Sequence, residues 1–121
     1  MCGIVGQARS DGSAVDRGLI EAMCAGLEHR GPDSRGVHVD EAVGLGIQRL
    51  RVIDLETGDQ PVYNEDRSVA VVLNGEIYNY RGLRRRLQAN GHRFASDGDT
   101  EVIAHLYEEE GPDFVRSLSG M

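Results

Sequence analysis

Apolar residues in this chain come in short runs that glycine or proline cuts off, and that punctuation limits every element to a few strand residues or a few helical turns. Residues 2–8, with Gly3 and Gly6 among them, read as a short buried strand. Ser13, with Asp16 three positions on, reads as a helix start. The helix carries Val15, Leu19, Ile20, Met23 and Leu27 on one face and stops at His29-Arg30-Gly31-Pro32. A turn is expected at 33–36, strands at 36–39, 42–48 and 50–55, and a loop at 56–59. The clearest strand is 68–73, a run of Val69, Val71, Val72 and Leu73 closed by Asn74-Gly75. From Tyr80 the spacing of Leu83 and Leu87 predicts a helix ending at Asn90-Gly91. A strand at 92–95 follows, then a helix opened by Asp99, carrying Val102, Ile103 and Leu106 and ended by Gly111-Pro112. Strands and helices together make an α+β chain.

At 121 residues the chain has the length of one domain. A net charge of −7 lacks the basic footprint that nucleic acid or an anionic membrane requires, and no apolar run approaches the ~20 residues of a span. Arg81, Arg84, Arg85 and Arg86 on one helix read as a solvated face. All 13 basic residues are arginine, which excludes Schiff-base lysine chemistry and a Walker-type phosphate lysine. Cys24 sits in the first helical pattern and reads as core, with a redox pair to Cys2 as the other reading. Two cysteines make no disulfide framework, so a reduced, cytoplasmic setting is expected. His29, His38, His92 and His105 show no ligand spacing, and no metal is expected. Glu108 to Glu110 close the last helix, where the macrodipole disfavours anions, for no reason visible in the sequence.

Position 2 carries the chemistry. If Met1 is removed, Cys2 holds a thiol of reference pKa ~8.5 and an α-amine of pKa ~7.7–8.0 on one residue. The amine then serves as general base for its own side chain, and no separate histidine is needed. A cysteine at this position is also an ordinary way to begin a strand, so its neighbours decide between the two.

Four ordered segments supply those neighbours: Cys2-Gly3-Ile4-Val5-Gly6, His29-Arg30-Gly31-Pro32-Asp33, Arg49-Leu50 with Asp54, and Asn74-Gly75-Glu76-Ile77-Tyr78-Asn79. Together they resemble the class II glutamine amidotransferases, whose glutaminase domain is an N-terminal-nucleophile hydrolase. Within that family the Gly-Pro-Asp after His29-Arg30 and the Arg49-to-Leu55 segment are most similar to the branch of glutamine-hydrolysing asparagine synthetases.

The resemblance implies a four-layer αββα sandwich, of which residues 1–121 would be the N-terminal part, with the strands that complete it and an ATP-, Mg²⁺- and aspartate-binding synthetase domain lying beyond. It implies that Cys2 attacks the side-chain amide of glutamine, that ammonia leaves, and that water hydrolyses the γ-glutamyl thioester. Asn74 (side-chain amide) and Gly75 (backbone N–H) would form the oxyanion hole, although Asn-Gly after a valine-rich run is also the common hairpin turn. Arg49 would grip the substrate α-carboxylate, the alternative being a surface salt bridge. Glu76 and Asp99 would take the α-ammonium and Val52 would add backbone contacts. Asp99 is equally a helix N-cap, and with Gly98 where the family has serine, Asp97 stays open for that role. Arg30 and Asp33 would order the turn beside the nucleophile. The implied partners are glutamine and the synthetase domain, with a homodimer compatible. No cofactor is implied for these residues themselves. Two other functions stay open: a class II amidotransferase with a different acceptor, and a catalytically silent binding module.

Overall fold

The computed structural model describes residues 1–51 and 58–121, so the strand expected at 50–55, with Val52 and Asp54, lies largely outside the described residues. The chain divides into two compact units. The first takes residues 1–51 together with Asp59–Pro61 and Val72–Asn74; the second takes Val62–Val71 and Gly75–Met121. Among the described residues no helix is long and apolar enough to cross a membrane.

The first unit is built on an antiparallel sheet of β1 (Gly3–Ala8), β2 (Ser34–Asp40) and β3 (Val43–Arg49), in the order β1-β3-β2. Gly3 lies opposite Gln48 and Ser34 opposite Arg49. β1 is not the buried strand that its composition predicts. It runs along an edge and Ile4 is 47% exposed, because the apolar helix α1 (Arg17–Ala25) covers one face of the sheet only. Residues 34–36 extend β2 instead of turning, since Ser34 and Arg35 pair with Arg49 and Gln48. The α1 cap is Asp16, whose carboxylate accepts the Gly18 N–H at 2.9 Å, while the Ser13 hydroxyl turns to Asp11. The helix ends at Ala25, earlier than expected, and a 3-10 turn at Glu28–Arg30 finishes the approach to Gly31.

Glycine explains how closely α1 can sit. A Cβ on Gly44 would meet Ile20 and Val15 at 2.8 Å, and one on Gly46 would run into the Cys24 sulfur and meet Val5 at 2.9 Å. Ile20 and Cys24 are fully buried there, as core, and burial pushes the Cys24 thiol up. Leu19, read as part of the same face, is 43% exposed at the edge of the contact. A third glycine, Gly36, admits the backbone of Gln60, whose side-chain oxygen accepts the Leu73 N–H at 2.6 Å. Those contacts fasten the two short outlying segments of the unit to its sheet.

In the second unit β4 (Val62–Tyr63) pairs with β5 (Ala70–Val71), and α2 (Tyr80–Ala89) and α3 (Glu101–Glu110) pack together through Leu83, Leu87, Val102, Ile103 and Leu106. Three expectations fail here, two of them because side chains take the backbone groups a ladder would need. The expected strand at 68–73 shrinks to two residues because Asn64 takes the Val69 N–H and Gln60 takes that of Leu73. Asn74-Gly75 is a bend and not a hairpin turn, since the partner of β5 precedes it in sequence. Residues 92–95 form no strand: Glu65 accepts the Arg93 N–H, and the Glu101 carboxylate accepts those of Ala95 and Ser96.

The acidic end of α3 also finds its reason. Glu110 bonds Arg86 and Ser117, Glu109 bonds Asn90, and Glu108 bonds Asn64, so each carboxylate has a local donor.

Gly46→Ala should lower stability by about 1–3 kcal/mol through overpacking against Cys24 and Val5. Cys24→Ala in the same chain should recover part of that loss, so that a urea double-mutant cycle shows coupling; strict additivity would contradict the close seat of α1.

Candidate active site

Within the first unit the β1–β3 register carries the site. The pairing ends at Gly3–Gln48, and Cys2 lies just beyond it, next to the end of β3. The Cys2 thiol lies against the next residue along, with its sulfur 3.3 Å from the Leu50 N–H, which it accepts, and 3.5 Å from the Leu50 carbonyl. Arg30 donates from Nε to the Cys2 carbonyl at 3.1 Å. Asp33 donates its N–H to the Arg49 carbonyl and accepts the Arg51 N–H at 2.8 Å. Both residues therefore hold the turn beside Cys2, and Gly31 makes this possible because a Cβ there would collide with the Gln48 carbonyl.

Arg49 is no surface salt bridge: its side chain is 7% exposed. Its guanidinium donates to Asp59 at 3.0 Å, and the same carboxylate accepts from Arg51 and from the Ser34 hydroxyl. Burial alone would raise the Asp59 carboxyl, but these donors hold it below the ordinary carboxylate range. Asp59 is the residue sequence reading missed, because it lies in a Gly-Asp loop with no motif around it. The alternation of Arg49 and Arg51 was the available signal, since two arginines on one side of an extended segment require an acceptor between them.

Asn74 also belongs to this unit, at the end of the segment fastened through Gln60 and Leu73. Val52 lies outside the described residues.

The remaining candidates, Gly75, Glu76 and Asp99, fall in the second unit. Residues 76–78 run antiparallel to 119–121: Glu76 and Met121 exchange both backbone hydrogen bonds at 2.9 Å, and Tyr78 donates to Ser119 at 2.7 Å. Gly120 is required there, as a Cβ would collide with the Glu76 carbonyl. Asp99 does not cap α3. Its carboxylate reaches back to accept the Ile77 N–H at 2.7 Å, and Asp99 is 7% exposed. Asp97, by contrast, is turned outward with its side chain 88% exposed against Arg84. Burial, followed by the nearby charge of Asp99, pushes the Glu76 carboxyl above the usual glutamate range. Two carboxylates close enough to repel suit a cationic guest, which relieves the repulsion between them.

The model of the glutamine amidotransferase domain family matches residues 1–121. The chain is 48% identical over 122 aligned residues to asparagine synthetase [glutamine-hydrolyzing] 3 of Arabidopsis thaliana, covering all of this chain and 21% of that protein. It is 49% identical to asparagine synthetase [glutamine-hydrolyzing] of Asparagus officinalis and 48% identical to that of Zea mays, covering all of this chain and 20% of each relative. The chain thus spans about a fifth of the length of these relatives. The match along the whole chain leads to one assignment: it belongs to the glutamine amidotransferase domain family.

Proposed function

We propose that this chain hydrolyses glutamine to glutamate and ammonia with Cys2 as nucleophile, and that the ammonia serves an ATP-dependent amidation of aspartate to asparagine carried out by chain outside these residues. The observation that supports the reading is the Cys2 thiol held against the Leu50 backbone at the end of the β1–β3 pair, one residue along from the buried Arg49. A free amino acid needs both: a nucleophile for its side-chain amide and a bidentate cation for its α-carboxylate.

Each role follows from a local property of the residue. Met1 is 71% exposed, accessible to the removal that frees the Cys2 α-amine. That amine takes the thiol proton as sulfur adds to the amide carbon and later delivers a proton to the departing ammonia; water then cleaves the thioester. The Asn74 side-chain amide and the Gly75 N–H stabilise the oxyanion, where one such donor is worth about 3–4 kcal/mol. Arg49, braced by Asp59, takes the α-carboxylate, and Val52 adds backbone contact. Glu76 and Asp99 take the α-ammonium, with Asp99 preferred over Asp97 because it is buried and anchored on the Ile77 N–H. ATP and Mg²⁺ are assigned to the synthetase part and not to these residues. The same reading makes the mixed fold part of an αββα N-terminal-nucleophile sandwich. It also sets the protein in the cytoplasm, where a thiol nucleophile stays reduced.

Cys2→Ala should reduce glutamate release from glutamine to background, and Asn74→Ala should lower kcat about 10²–10³-fold. Equal rates in the unmodified chain and Cys2→Ala would contradict the proposal and leave a binding module instead.

The raised Glu76 carboxyl sets a pH dependence. Protonation removes the acceptor that the α-ammonium needs. The KM for glutamine should therefore begin to rise, on acidification, at a pH above the 4.5 of an ordinary glutamate. In Glu76→Gln the KM should be high already at neutral pH and insensitive to acid in this window; an unchanged profile would remove Glu76 from the site.

A further inference from the structure

The second unit contains a cluster that glutamine chemistry does not use. Glu65, His92, His105 and Glu108 each bring one potential ligand atom to within 4.8 Å of the others. Sequence spacing hides the group, because its members come from a loop, from the segment after α2 and from α3, where His105 and Glu108 share a helix face at i, i+3.

His105 is the informative member. It is completely buried, and neither ring nitrogen makes a hydrogen bond of proper geometry. Carboxylate oxygens stand at both ends of the ring: Glu101 Oε1 is 3.5 Å from Nε2 and Glu65 Oε2 is 3.3 Å from Nδ1. A neutral imidazole has one N–H. If Nε2 carries it toward Glu101, the Nδ1 lone pair faces the Glu65 carboxylate, and two electron-rich atoms confront each other in a buried site. His92 also stands between two carboxylates: its Nδ1 is hydrogen-bonded to Glu65 Oε1 at 3.1 Å, and Glu109 Oε1 is 3.3 Å from Nε2. The two rings lie 4.7 Å apart.

We propose that Glu65, His92, His105 and Glu108 bind a single Zn²⁺-type transition-metal ion. Two ligands ~2.1 Å from zinc at the tetrahedral angle lie about 3.4 Å apart; Glu65 approaches this separation from His92 Nδ1 with Oε1 (3.1 Å) and from His105 Nδ1 with Oε2 (3.3 Å), and the four ligand atoms, all within 4.8 Å, draw together on binding. Two imidazoles and two carboxylates suit zinc in donor type, and the two carboxylates balance its charge. The surrounding groups orient these ligands. Glu101 stands behind His105 and is itself fixed by the Ala95 and Ser96 N–H groups. Glu109 stands behind His92, the Arg93 N–H holds Glu65, and Asn64 holds Glu108. A carboxylate behind each histidine is the usual support for a metal-bound imidazole. Phe94 packs on His105 at 4.5 Å and fixes the ring plane.

The test is titration of Co²⁺, followed by Zn²⁺ competition, into the chelator-stripped 121-residue chain. The expected result is one equivalent bound, with the visible absorption of tetrahedral cobalt and no thiolate charge-transfer band, displaced by Zn²⁺. Glu108→Gln, an exposed change that leaves the α3 core in place, should weaken binding about tenfold or more, as should Glu65→Gln. Asp113→Asn, outside the cluster, should leave it unchanged. Absence of saturable uptake, a thiolate band pointing to Cys2 or Cys24, or an affinity in both glutamate variants equal to that of the unmodified chain would overturn the proposal.

Discussion

The antiparallel register between β1 and β3 is the constraint on which the position of Cys2 depends. Side chains alternate between the faces of a strand, so a slip of one residue would turn the Cys2 thiol away from the Leu50 backbone that it contacts. The register is held mainly by shape. Gly44 and Gly46 leave a trough in β3 that Ile20 and Cys24 of α1 fill, and no other phase of the strand offers the helix that trough. Arg30 and Asp33 then tie the turn after α1 to Cys2 and to the end of β3. Helix packing thus reaches the thiol through two polar contacts.

Charge is organised differently in the two units. In the first, Asp59 gathers Arg49, Arg51 and Ser34 around one carboxylate, so the guanidinium is oriented before any substrate arrives. Such preorganisation lowers the cost of gripping a carboxylate bidentately. In the second, carboxylates outnumber their cationic partners. Glu76 and Asp99 repel one another, and Glu65 is wedged between two histidines. Excess negative charge in a partly buried setting calls for a cation: on our proposals, an α-ammonium at the first of these places and a metal ion at the second.

The sequence was legible where a periodic apolar face meets a clean stop. The first helix lost its last turn and Leu19 from its buried face, yet Ile20 and Cys24 stand where their spacing put them; α2 ends at Asn90-Gly91 as expected. It was illegible where side chains compete for backbone groups. The valine run at 68–73 has the composition of a long strand but loses N–H groups to Asn64 and Gln60, and 92–95 loses them to Glu65 and Glu101. Those acceptors are distant in sequence, so no local pattern announces them. The same holds for the candidate sites. Cys2 and Arg49 were visible through ordered motifs, whereas Asp59 and the Glu65–His92–His105–Glu108 cluster exist only once the chain is folded.

The central claim is that Cys2, and not Cys24, is the nucleophile, primed by its own α-amine. Its most direct test is intact-mass and peptide mapping of the chain after reaction with a diazoketone analogue of glutamine. The account predicts a single adduct on Cys2, on chains that have lost Met1, suppressed by excess glutamine. Modification of Cys24 in preference, or labelling of chains that still carry Met1, would contradict it.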